Sequence, residues 1–190
     1  MIRWLSLRLF SVGQRIEGTT ILCVKKQRQI AMIGDGQISV GGTKLKNNAV
    51  KIHKIQPNIL CGYAGGTADC LTFLELLTHE YEKYPMETLR VCVKLAQKWR
   101  TNKAYRYLLC EMIVADPNII ILLNGRGDAI EIDDDVLAIG AGQAYAQAAS
   151  KALLDIEGMT AKDIANKAMN IAADLCVYTN RNFRLEVIDF

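Results

Sequence analysis

Two groups of short strand-like segments, each followed by a pair of amphipathic helical segments, most restrict the folds open to this 190-residue chain. Residues 19–24 and 30–33 are apolar on both alternating sets of positions, the pattern of strands covered on both faces. Strand patterns at 49–55 and 58–63 follow, separated by Gln56-Pro57. Helical spacing then places Leu71, Leu74, Leu77 and Tyr81 on one face and, beyond Pro85, Leu89, Val93, Ala96 and Trp99 on another. A second strand group spans 109–115, 119–123, 129–132 and 136–139, with turns at Asp116-Pro117-Asn118 and Asn124 to Asp128. Helices at about 143–156 and 160–178 come next, and a last strand covers 183–188. Thr160 with Asp163 makes a capping-box start, and Ile164, Ala168, Ile171 and Leu175 make the stripe of the last helix.

This order is not the strict alternation of a doubly wound sheet. Two sheets packed face to face, each with a helix pair outside it, would bury both faces of every sheet. The expected fold is therefore α+β, a four-layer αββα sandwich forming one domain over residues 19–190.

The first eighteen residues read differently. They carry three arginines, two serines and one acid, with Trp4, Leu5, Leu7, Leu9 and Phe10 between the charges. No apolar run reaches membrane-spanning length, and Arg3 and Arg8 interrupt the core a secretory signal needs. Residues 1–18 are expected to be a transit peptide or a pro-segment that is removed, and the Arg-rich, acid-poor pattern favours the mitochondrial matrix over the cytoplasm. Without its three arginines and one glutamate the net charge falls from +3 to +1, which gives nucleic-acid binding little support. Six scattered cysteines with no C-x-x-C pair, and only His53 and His79 beside them, argue for free thiols in a reducing compartment rather than a zinc site.

The chemistry is narrowed by elimination. Four serines include none in a G-x-S-x-G elbow, and the glycine clusters at 41–42 and 140–142 lack the spacing of phosphate loops. What remains is Thr19, at the boundary between leader and domain, where cleavage after Gly18 would give a threonine with a free α-amine, nucleophile and base in one residue. Lys51, inside an apolar strand, needs a partner, and Asp35 at the end of a neighbouring strand can supply one. By themselves Lys51 and Asp35 also suit a solvated lysine and a turn aspartate.

Thr19-Thr20, Gly34-Asp-Gly-Gln37, Lys51 and Cys61-Gly-Tyr-Ala-Gly-Gly-Thr-Ala-Asp-Cys70 resemble the HslV family, the peptidase subunit of the bacterial-type, proteasome-related ATP-dependent protease. Trp99-Arg-Thr, Ile113-Val-Ala-Asp116, Tyr145-Ala-Gln-Ala-Ala149 and Ala161-Lys-Asp through Tyr178-Thr-Asn180 extend the likeness to nearly all of residues 19–190. The resemblance implies an N-terminal-nucleophile hydrolase of the proteasome β-subunit type. Thr19 would be the nucleophile, Lys51 the cation beside it, Asp35 the partner of Lys51, and Gly65 an N–H donor to the oxyanion. It also implies two stacked hexameric rings of one chain, a separate HslU-type AAA+ unfoldase and unfolded polypeptide substrates, with no membrane insertion. No cofactor is required for the chemistry, but backbone carbonyls at Ala173, Cys176 and Thr179 resemble a sodium-binding loop, with Ala173 where a glycine is usual.

One departure bears on activity. Relatives read Gly-Ser-Gly-Gly-Pro-Tyr where this chain has Gly140-Ala-Gly-Gln-Ala-Tyr145, so Ala141 replaces an accessory serine near the threonine amine. The expectation is weakened hydrolysis by a threonine endopeptidase. A silent structural subunit and a small-molecule amidase of the same fold are the alternatives.

Overall fold

A computed structural model describes residues 16–105 and 109–190. The leader expectation covers 1–18, of which 1–15 lie outside the described residues. The chain runs β1 (Ile16–Glu17), β2 (Thr20–Lys26), β3 (Gln29–Gly34), β4 (Ile38–Val40), β5 (Thr43–Lys46), β6 (Ile52–Gln56) and β7 (Ile59–Gly65). Helices α1 (Thr67–Lys83) and α2 (Thr88–Thr101) follow, then β8 (Cys110–Ala115), β9 (Ile120–Asn124), β10 (Ala129–Ile132) and β11 (Val136–Gly140). Helices α3 (Gln143–Leu154) and α4 (Ala161–Leu175) precede the final strand β12 (Arg184–Asp189).

Two antiparallel sheets, ordered β10-β9-β8-β7-β6 and β11-β2-β3-β12, face each other, and β1-β4-β5 forms a small third sheet beside them. Alternation along each strand divides its side chains between layers. Ile21 and Cys23 of β2 join Leu60, Ile113 and Ile139 between the sheets, while Leu22 and Val24 meet Ile164, Ala168 and Met169 of α4. On the other side, Cys61 and Tyr63 of β7 pack with Phe73 and Leu77 of α1 and Leu95 and Trp99 of α2. These three apolar layers make the expected αββα sandwich. Each fully buried Leu, Ile or Phe contributes about 1.5–3 kcal/mol through removal of its surface from water. Between α1 and α2, buried Glu80 is met by Lys83 at 3.2 Å and by Lys98 across the helix pair.

The helical faces are rotated from those expected. On α1 the buried set is Cys70, Phe73, Leu77, Glu80 and Tyr81, with Leu71 half exposed. On α2, Leu89 and Val93 face outward while Val91, Cys92 and Leu95 take the core, and on α4, Ile171 and Leu175 are exposed beside buried Ala165, Met169 and Ala172. Apolar residues on more than one side of each helix compete for the core, and on α1 and α2 it is Phe73, Leu77, Tyr81, Val91, Leu95 and Trp99 that fill it. The last helix also ends at Leu175 rather than 178, and β6 starts at Ile52 rather than 49, which leaves Lys51 just outside the strand. The capping box stands as expected: Asp163 N donates to Thr160 Oγ1 at 3.2 Å and Thr160 N to Asp163 Oδ2 at 3.1 Å.

Candidate active site

Strand β2 is central in its sheet, pairing with β11 through Thr20↔Gly140 and with β3 through Ile21↔Gly34. Thr19, immediately before it, is thus carried on one of the best-anchored strands of the molecule. Its carbonyl oxygen accepts the Ala141 N–H at 2.8 Å, and a Cβ at Gly140 (φ +88°) would stand 2.1 Å from that oxygen, so only glycine lets the turn wrap so closely. The same turn is tied to the next residue: Gly142 N donates to Thr20 Oγ1 at 2.9 Å, and Thr20 Oγ1 lies 2.7 Å from Thr179 Oγ1.

Asp35, at the end of β3, is almost fully buried and gathers donors on both oxygens. Thr20 N donates to Oδ1 at 2.8 Å, and Gln37 N and Asn180 N to Oδ2 at 2.9 and 3.3 Å. Lys51 Nζ lies 3.2 Å from Oδ1 and donates to the Gln37 carbonyl at 2.5 Å. Burial pushes the Lys51 ammonium below the ordinary lysine range, and the Asp35 carboxylate opposes that shift. The two residues singled out from the apolar-strand pattern therefore meet as a buried pair. The attraction within such a buried pair is largely offset by the cost of taking both charges out of water.

Thr19, Lys51 and Gly65 line one small pocket, together with Gly18, Ile38, Ala49, Val50, Tyr63 and Thr67. The Thr19 hydroxyl donates to the carbonyl oxygen of Gly18, the residue before it. Gly65 ends β7 at φ +128°, where a Cβ would lie 2.3 Å from the Leu109 carbonyl. Gly66 N donates to that same carbonyl at 2.8 Å, so the strand-to-helix turn is held from outside. Its conformation requires glycine at Gly65, whichever task its N–H performs.

The third expected set lies at the end of α4. Cys176 N caps back to the Ala172 carbonyl at 2.8 Å and Thr179 N donates to the Cys176 carbonyl at 3.0 Å, a turn that leaves the helix's last carbonyls without intrahelical partners. Carbonyl oxygens at the negative end of a helix dipole are a donor set compatible with a hard cation.

Several residues at the site were given no role by the sequence. Gln37 joins its main chain to Asp35 and Lys51 while its side-chain amide reaches Ser39 and the Val177 carbonyl. Asn180 accepts from Gly36 N at 3.1 Å. The quoted segments Gly34 to Gln37 and Tyr178 to Asn180 contain most of these residues, but nothing in either showed that they meet.

A threonine beside a buried lysine–aspartate pair, at the head of an inner strand of an αββα sandwich, defines the N-terminal-nucleophile hydrolase class of the proteasome type. A family model described as "Proteasome subunit" matches residues 16–188. The ATP-dependent protease subunit HslV of Paramagnetospirillum magneticum is 48% identical over 170 residues, covering 89% of this chain and 93% of that protein. HslV of a Wolbachia from Brugia malayi is 45% identical over 173 residues, covering 90% and 98%. The crystal structure of eukaryotic HslV from Trypanosoma brucei superposes with a TM-score of 0.85 at 36% identity, covering 90% of this chain and 99% of that one. The chain belongs to the HslV family of proteasome-type subunits.

Proposed function

We propose that this chain is the peptidase subunit of an ATP-dependent protease, a threonine-type endopeptidase acting on unfolded polypeptides. The observation that carries the reading is the pocket shared by Thr19, Lys51 and Gly65, backed by the Asp35–Lys51 pair. Once cleavage after Gly18 frees the Thr19 amine, Thr19 Oγ attacks a peptide carbonyl and the amine takes the hydroxyl proton. The Lys51 charge stabilises the oxygen nucleophile, and the Gly65 N–H receives the oxyanion of the tetrahedral intermediate. The amine then protonates the departing nitrogen, and water hydrolyses the acyl-threonine ester. An α-amine titrates near ~8, close to the pH at which a general base works best.

Its partner in this reading is an HslU-type AAA+ unfoldase, which supplies the ATP-driven step. The assembly is two stacked six-membered rings of this chain, and exposed Leu45, Leu109, Leu175 and Val177 are side chains suited to burial against neighbours. The leader acts as a mitochondrial presequence as well as a block on the Thr19 amine. The carbonyls of Ala173, Cys176 and Thr179 would hold a sodium ion, tested by comparing melting temperatures in sodium and choline chloride at equal ionic strength. The function itself is tested by incubating the mature chain with a fluorogenic peptide and an unfolded protein, with and without the ATPase and ATP. No turnover in any combination overturns it.

A further inference from the structure

Lys51 is buried, although the segment that delivers it is not. Asn47 and Asn48 are exposed, and a few residues on the chain carries Lys51 to 5% exposure. Residues 47–51 lie between β5 and β6 and belong to neither, so no strand ladder sets their position. Their inner end is tied to β7: Tyr63 N donates to the Lys51 carbonyl at 3.1 Å, and the Tyr63 hydroxyl donates to the Val50 carbonyl at 3.1 Å. Their outer end presses on the turn that follows Asp35. Ala49 N donates to the Gly36 carbonyl at 2.9 Å, and a Cβ at Gly36 would stand 2.4 Å from the Asn47 carbonyl oxygen.

Asn180 reaches both sides of that contact. Its Oδ1 accepts from Gly36 N at 3.1 Å and from Asn182 N at 3.0 Å, and its Nδ2 donates to the Asn47 carbonyl at 3.0 Å. Main-chain N–H groups can only donate and a carbonyl can only accept, so the amide has a single possible orientation. Asn180 N adds a bond to Asp35 Oδ2 at 3.3 Å. One short side chain thus holds main chain on both sides, beside Asp35 with its oxygen and on the approach to Lys51 with its nitrogen. Asn182 Nδ2 also donates to the Asn47 carbonyl, at 2.8 Å, but that bond holds the segment without tying it to the Asp35 turn.

We infer that Asn180 is a positioning residue: its side-chain amide clamps the turn behind Asp35 to the segment leading into Lys51, and so sets the direction from which the lysine meets its carboxylate. Its effect on turnover rests on the peptidase reading of this pocket, whereas the clamp itself belongs to the resting chain. None of the Asn180 bonds is to Thr19, and the residue acts on chemistry through the ion pair alone. Without the clamp the outer end of the segment pivots on its Tyr63 anchor. The Lys51–Asp35 contact lengthens, and water reaches the amine.

The test reads Lys51 directly. The chain beginning at Thr19 is exposed briefly to trace acetic anhydride at one mildly alkaline pH, and acetylation of Lys51 is measured by mass spectrometry against exposed Lys46 and Lys54 of the same chain. Asn180→Ala is expected to raise the ratio of Lys51 to Lys54 labelling about five- to tenfold, the equivalent of one lost hydrogen bond. Asn180→Leu, which fills the space without either bond, is expected to give the same rise. Asn182→Ala leaves the clamp in place and is expected to keep the wild-type ratio while melting at a lower temperature. With a fluorogenic peptide, Asn180→Ala is expected to lose about tenfold or more in kcat at unchanged KM, the mark of a misplaced group rather than of weakened binding. Melting temperatures fix a common working temperature below every transition. A wild-type ratio in Asn180→Ala or Asn180→Leu overturns the inference, and so does an equal rise in Asn182→Ala or a loss confined to KM. A chain that labels as described but turns over no peptide, even unsubstituted, refutes the peptidase reading and leaves the clamp standing.

Discussion

Ala141 gives its main-chain N–H to the carbonyl oxygen of Thr19 at 2.8 Å, and its methyl side chain offers nothing further to the nucleophile. The turn is in place, and the position expected to carry an accessory serine holds no hydroxyl. Ala141 is exposed, so a serine fits without repacking. Ala141→Ser is expected to raise peptide turnover about threefold or more, a modest share of what a positioned proton-transfer group contributes. Identical turnover by the two mature chains would show that the methyl costs nothing.

Thr19→Ala is expected to abolish hydrolysis, and Thr19→Ser to retain part of it. If the leader is removed by the chain itself, Thr19→Ala also keeps residues 1–18 attached, because its hydroxyl is the group placed against the Gly18 carbonyl. Intact mass of each variant, expressed without other proteases, reads the result. A Thr19→Ala chain trimmed to position 19 assigns removal to a separate peptidase.

Asp35→Asn leaves Lys51 buried without its carboxylate, a change that costs about 3–5 kcal/mol when one partner of a buried pair is lost. The sign of its pH dependence follows from burial, which then lowers the Lys51 titration unopposed. The unfolded chain binds the lysine proton more tightly than the folded one, so the variant's stability rises as pH climbs toward the ordinary lysine value. The basic limb of any residual activity moves to lower pH. Denaturant melts across neutral to alkaline pH check the first, and rate profiles the second. A stability deficit that grows with pH contradicts the first, and an unmoved basic limb contradicts the second.

Gly65→Ala forces a side chain into φ +128° and against the Leu109 carbonyl. A loss of about 100-fold or more in kcat is expected if the Gly65 N–H meets the oxyanion. A variant that keeps its kcat while melting at a lower temperature would assign Gly65 to the turn alone.

Thr160→Ala removes the α4 cap far from the pocket, with an expected destabilisation of about 1 kcal/mol. Turnover by the folded fraction is expected to stay at the wild-type value. A drop in turnover per folded chain would show that α4 and the pocket are coupled more tightly than their contacts imply.

The layer order was legible because strands covered on both faces leave runs such as Ile21 to Val24 with no polar side. The helical faces were misjudged because each helix carries apolar residues on more than one side, so that on α2 Leu89 and Val93 compete with Val91, Cys92 and Leu95 and the periodicity does not choose between them. β4 and β5 were not among the expected strands, because every β5 residue is exposed and β4 draws part of its pairing from Ile16 and Glu17. At the site, Asp35 and Lys51 were visible through the cost of burying a lysine. The bonds from Gln37 to Val177 and from Thr20 to Thr179 were not, for they join residues far apart in sequence whose types are ordinary in any loop.

A newly cut chain end is usually the first part of a protein to fray. Here the residue after Thr19 is already hydrogen-bonded into the middle of a sheet, with Gly140 on one side and the β3 strand beginning its pairing one residue later. Cutting after Gly18 thus produces a terminus with no slack, and the amine it exposes inherits the stiffness of the sheet. Heating is accordingly expected to silence the pocket only when the whole sandwich melts, with no earlier loss at the tip that does the work.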